Sequence, residues 1–127
     1  EKNNVFDIIK KVTNGKLSDT LIVEDHRGGK HTVFIKDGDI FYCTSKSDTV
    51  NLSYSEMKSS NPFMVLAGDT LSIFWREETE KAIDVFYRRR FILAPVGQWT
   101  KPTCVYTQEG NKGTVPGLAM IEINKER

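Results

Sequence analysis

The chain has 127 residues, which fits one domain and is long enough to bury roughly two-thirds of its unfolded surface in a hydrophobic core. Lys and Arg number 18 against 17 Asp and Glu, a net charge of +1, which excludes a generally basic coat for polyanions and leaves any nucleic-acid contact to local clusters. No leader-like segment and no apolar run approaching ~18 residues occurs, so neither secretion nor membrane insertion is indicated, and an intracellular place, cytoplasm or nucleus, is expected. The first residue is Glu1 rather than Met and the last residues are charged, so residues 1–127 are expected to be a single domain excised from a larger protein. Cys43 and Cys104 lie far apart in strand-like sequence with no C-x-x-C spacing, which favours two buried reduced thiols.

Residues 3–14 predict a helix. Asn4 is a candidate N-cap, Val5, Ile8, Ile9 and Val12 fall at helical spacing, and Gly15 is the stop signal. Asp7 in the first turn and Lys10 and Lys11 near the end complement the helix dipole. From Leu17 onward nearly every run is extended. Residues 20–24, 31–36, 40–44 and 49–53 read as strands, separated by Arg27-Gly28-Gly29, Asp37-Gly38-Asp39 and residues 45–48. Asp37-Gly38 is the strongest hairpin signal in the chain. Residues 54–60 predict one helical turn, ended by Asn61-Pro62 because the residue before proline is pushed out of the α region.

Residues 66–90 hold the densest strand patterns. Ala67-Gly68-Asp69 supplies a turn in which Gly68 takes a positive φ. Leu71, Ile73 and Trp75 then alternate with Thr70, Ser72 and Arg76, with Phe74 breaking the pattern, and Trp75 is expected in the core. After a polar connection at 77–81, Ile83, Val85 and Tyr87 share one face and Asp84, Phe86 and Arg88 the other, which completes a hairpin with a longer loop. This second strand extends through 91–94 until Pro95 and Gly97. A strand over 103–108, a flexible turn at 110–113 and a last strand over 118–123 follow. One N-terminal helix with about seven to nine strands implies a mainly β (α+β) fold, an open barrel or strongly bent sheet with the helix over one end or face.

The run L-x-G-D-x-L-S-I-F at 66–74, followed by a charged loop and I-D-V-F-Y-R-R-R, resembles the closing hairpin of the plant-type B3 DNA-binding domain and its restriction-enzyme relatives. Upstream, Asp25-x-x-Gly28-Gly29-Lys30-His31-Thr32-Val33-Phe34 is similar to that family's D-x-x-G-x-x-W strand, with His31 near the tryptophan position. The resemblance spans residues 25–90 and implies a barrel that sets strands and loops into the DNA major groove. The family's N-terminal DNA-contacting strand and its G-W-x-x-F segment have no counterpart, so no base-reading residue carries over.

No nucleophile motif, phosphate loop, H-E-x-x-H or paired C-x-x-C is present, so no enzyme activity, catalytic residue or cofactor is assigned. Asp25, His26 and His31 have the chemistry of metal ligands, but two surface histidines flanking a hairpin turn is the favoured reading, and no metal is assigned. Arg88-Arg89-Arg90 is the most informative charged feature. In a strand Arg88 and Arg90 project from one face and Arg89 from the other, so one set points inward. A buried guanidinium needs a partner, for which Asp84, Glu77, Glu78 and Glu80 are nearest in sequence. Phosphate binding is the competing role, favoured by Arg76, Lys81 and Lys101 nearby and by Trp99 and Tyr106 as stacking groups. The expected function is a non-catalytic DNA- or RNA-binding module that uses Arg76, Arg88, Arg89, Arg90, Trp99, Lys101 and Tyr106. The alternatives are a β-rich protein-interaction or regulatory domain with structural arginines, and nucleotide or RNA-cap binding between Trp99 and Tyr106.

Overall fold

The computed structural model describes residues 5–45, 49–93, 98–109 and 112–114. Helix α1, Val5–Asn14, buries Ile8, Ile9 and Val12 along one stripe. The Gly15 N–H closes its end on the Lys11 carbonyl at 2.9 Å, and a β-carbon at Gly15 would lie 2.6 Å from that oxygen. Asn4, the expected N-cap, lies outside the described residues.

Four strands form an antiparallel sheet in chain order: β1 (Thr20–Glu24), β2 (Lys30–Lys36), β3 (Asp39–Thr44) and β4 (Val50–Asn51). The β2–β3 turn has Asp37 at φ 53° and Gly38 at φ 79°, the two positive values of a type I′ hairpin that the Asp-Gly pair predicts. The second sheet, also antiparallel and in chain order, holds β5 (Ser59–Ala67), β6 (Thr70–Glu78), β7 (Ile83–Phe91), β8 (Thr103–Glu109) and β9 (Lys112–Thr114). Gly68 turns β5 into β6 at φ 60°, as expected.

The elements stack in three layers. Ile8, Ile9 and Val12 of the helix pack on Val65, Phe74, Val85 and Val105 on one face of the second sheet. Met64, Leu71, Ile73 and Trp75 on its other face pack on Val33, Ile40 and Tyr42 of the first sheet, with Leu52. Strand β6 is therefore covered on both sides, which explains Phe74: it does not break an alternation but buries on the helix face while Ile73 and Trp75 bury on the other.

The mainly β class and the single described helix follow the sequence. The described ladders run as two separate sheets, each open at both ends of its strand order, and closure into a barrel is not seen in them. Residues 54–60 do not form a helical turn. Tyr54 sits at φ 49°, Ser55 and Ser59 donate to the Glu77 carboxylate at 2.9 and 3.4 Å, and Ser59 already begins β5. The hydroxyls thus satisfy a buried carboxylate in a partner strand in place of helix hydrogen bonds. Asn61 leaves the right-handed α region as its proline neighbour requires, but within a bulge of β5, at φ 51°. The turn expected at 110–113 is taken partly by β9, which pairs Glu109 with Lys112, and the strand expected at 118–123 lies outside the described residues. Cys43 and Cys104 are free thiols, half-buried rather than buried. No helix among the described residues is long and apolar enough to cross a membrane.

Candidate functional site: the arginine strand and a buried polar chain

Strand β7 sets Arg88 opposite Ile73 and Arg90 opposite Leu71 in the ladder, so both side chains point between the sheets, as alternation requires. The partners are not the carboxylates nearest in sequence. Arg88 donates Nε to the Thr100 carbonyl at 2.7 Å and Nη1 to the Leu52 carbonyl at 2.9 Å. Burial lowers its pKa. Arg90, 5% exposed, donates to the carbonyls of Phe91 and Ile92 at 3.2 and 3.3 Å and to the Tyr42 hydroxyl at 3.5 Å. Its guanidinium also lies 5.9 Å from the ring centres of Tyr42 and Trp99. Asp84 instead accepts from Thr107 at 2.8 Å, and Glu77 accepts the Trp75 indole N–H at 2.9 Å. Backbone carbonyls serve Arg88 because Leu52 and Thr100 lie just outside β4 and β8, and serve Arg90 where the chain leaves β7 at Phe91 and Ile92.

The remaining expected contacts are dispersed. Arg76 lies on the helix side, donating to the Thr13 carbonyl at 2.7 Å and to Ser60 Oγ at 3.4 Å. Tyr106 is half-buried on that same side, against the helix cluster, with its hydroxyl donating to Gln108 at 3.2 Å. Trp99 lies on the opposite side of the sheet, edge-on to Tyr42 at 5.0 Å between ring centres. Trp99 and Tyr106 thus do not face each other as plates of one sandwich. Arg89 is half-buried, and its backbone exchanges hydrogen bonds with Thr100. Lys101 is exposed.

Arg90 ends a buried polar chain that the sequence does not announce. His31 is 5% exposed, so it is not a surface histidine. Its Nε2 lies 2.7 Å from Asp25 Oδ2 and its Nδ1 2.7 Å from the Tyr42 hydroxyl. Every group is satisfied when His31 Nε2–H donates to Asp25, Tyr42 O–H donates to Nδ1, and Arg90 donates to the Tyr42 oxygen. Asp25 Oδ1 accepts the backbone N–H groups of Arg27 and Gly29 at 2.8 and 2.9 Å. The bond with His31 first, and those N–H groups after it, bring the Asp25 carboxyl down to about 2. Burial, outweighing Arg90, raises the Tyr42 pKa.

An Asp-His-Tyr sequence has the order of a proton relay, but here Tyr42 is fully buried and its hydroxyl is made harder to ionise, so the tyrosine end of the chain does not open to solvent. Its work is to join the β1–β2 hairpin, β3 and β7 across the inter-sheet core. Both His31 nitrogens are occupied, His26 turns to Asp69 at 3.7 Å, and the described residues hold no cluster of three or more ligand side chains. Strand parity was the available signal: His31 shares the inward face of β2 with Val33, and Tyr42 that of β3 with Ile40.

Outside this core, β1, β2 and β3 present a face on which no other described element packs. Ile22 is 64% exposed there, and Phe34 stacks on Phe41 at 5.6 Å with both rings half-buried. Compared with family models, curated proteins and solved structures, the chain finds no match.

Proposed function

We propose that this domain is a non-catalytic, β-rich protein-interaction or regulatory module. The observation that carries the reading is the use of Arg88 and Arg90: their N–H groups are directed to the chain's own carbonyls and to Tyr42, inside the fold. A guanidinium so placed cannot reach a phosphate without unsatisfying those groups. The dispersal of Arg76, Trp99 and Tyr106 over two sides of one sheet adds support, because phosphate tracking and base stacking need one continuous surface. On the mixed outer face of the first sheet, the exposed Ile22 and the half-buried Phe34 and Phe41 pair are chemistry suited to a protein partner.

The test is a binding screen over duplex DNA, single strands and nucleotides at two salt concentrations, paired with melting of the Arg88→Gln/Arg90→Gln double variant. The expected outcome is no salt-sensitive binding by the parent and a stability loss of at least ~2 kcal/mol in the variant, since hydrogen bonds to charged groups are worth ~1.5–3 kcal/mol each. Binding that falls steeply with salt and is lost in a variant of unchanged melting would restore the B3-like, nucleic-acid reading.

A further inference from the structure

The four sheet edges are built differently. Strand β4 has two residues, too short to template another strand, and β5 is interrupted by the Asn61-Pro62 bulge, while β9 is described over Lys112–Thr114 alone. Strand β1 is regular over five residues, Thr-Leu-Ile-Val-Glu, with no proline, no lysine and no bulge. Among the described residues it pairs only with β2. The direction of its free groups follows from parity. Ile35 N–H donates to the Asp19 carbonyl at 3.1 Å and Asp25 N–H to the Gly29 carbonyl at 2.8 Å, so Asp19 and Asp25 bond inward to the hairpin partner. Alternation then turns Leu21 and Val23 inward as well, and directs the N–H and C=O of Thr20, Ile22 and Glu24 to the open side.

We propose that β1 pairs antiparallel with β1 of a second copy of this chain, across a two-fold axis at Ile22, joining two four-stranded sheets into one. This inference rests on the reading of the domain as an interaction module and names the surface and the partner. In that register Ile22 faces its own counterpart, Thr20 faces Glu24, and Leu21 faces Val23. All outward backbone groups of the strand are used, in about six ladder hydrogen bonds, and no like charges meet within it. The exposed Ile22 side chain is covered by its counterpart on the outer face, where its own row continues to Thr32 and Cys43 and the Phe34 and Phe41 stack lies in the neighbouring row beside Thr20. The next pair outward sets Asp19 opposite Asp25, whose carboxylate is turned to His31, so the match stops at the strand ends.

Sedimentation velocity over a wide concentration range tests this, on the parent and on Ile22→Lys and Ile22→Glu. The parent is expected to dimerise. Each variant is expected to keep the parent melting behaviour and weaken dimerisation by at least ~10-fold, because like charges then face across the axis. An equimolar mixture of the two variants is expected to regain dimer, since position 22 faces itself only about this axis. A parent that stays monomeric throughout, or a dimer indifferent to both substitutions, overturns the inference. A monomer that also ignores nucleic acid leaves the interaction-module reading standing, while a dimer that binds nucleic acid in a salt-sensitive way overturns that reading and not this one.

Discussion

The two sheets share an architecture and differ in what covers them. The five-stranded sheet is enclosed, with the helix on one face and the first sheet on the other, so β6 buries Leu71, Ser72, Ile73, Phe74 and Trp75 in succession. Among the described residues the four-stranded sheet is covered on one face alone, and β1 keeps a strict alternation of exposed and half-buried residues. One inner layer therefore holds the molecule together, while an outer layer of similar strands presents a surface. The difference teaches that an aromatic residue's worth here depends on its layer and not on its strand propensity.

Paired truncations would break that contrast most sharply. Phe74→Ala opens a cavity between the helix and the enclosed sheet and is expected to cost ~3–5 kcal/mol, whereas Phe41→Ala on the uncovered face is expected to cost under ~1.5 kcal/mol. Urea midpoints of the two variants check this, and equal losses would show the outer face to be covered after all. The arginines give a smaller contrast within one strand. Arg90→Gln removes the guanidinium donors to two carbonyls and to the Tyr42 oxygen, which keeps only its bond to His31, and is expected to cost ~2 kcal/mol, against about 0.5 kcal/mol or less for Arg89→Gln, by thermal melting.

The smallest effect concerns the end of the polar chain that meets solvent at the β1–β2 turn. The Asp25 carboxyl titrates at about 2 in the folded protein against an ordinary 3.8, so its contribution to stability is fully present above that ordinary value and is lost as pH falls through about 2. Asp25→Asn is expected to flatten the acid limb of stability against pH in that window. An unchanged limb would assign the acid sensitivity to other carboxylates.

The first sheet was the more legible in sequence because one covered face yields period-two alternation and its turns carry their own chemistry, as at Asp37-Gly38. In the enclosed sheet the same rule misreads Phe74, since burial on both faces removes the polar phase. The Ser-rich stretch before Asn61 read as helical because its hydrogen-bond acceptor, Glu77, lies about twenty residues away and no local pattern encodes it. That one set of the three arginines points inward was legible, but not which set. Their partners were not, because any backbone carbonyl can serve and carbonyls leave no trace in composition.

The carboxyl end of the helix is closed from far along the chain. The Asn61 amide donates to the carbonyls of Val12 at 3.0 Å and Gly15 at 2.6 Å, and Arg76 donates to that of Thr13 at 2.7 Å. On a ribosome, where the amino end emerges first, these three carbonyls stay bound to water until the fifth and sixth strands have been made. A ten-residue helix is marginal in isolation, so this helix, made before the strands that clamp it, is locked only after them. Hydrogen exchange on chains stalled at increasing lengths would show protection at residues 5–14 arriving only after Arg76 is available, and earlier protection would mean that the helix stands without its distant clamps.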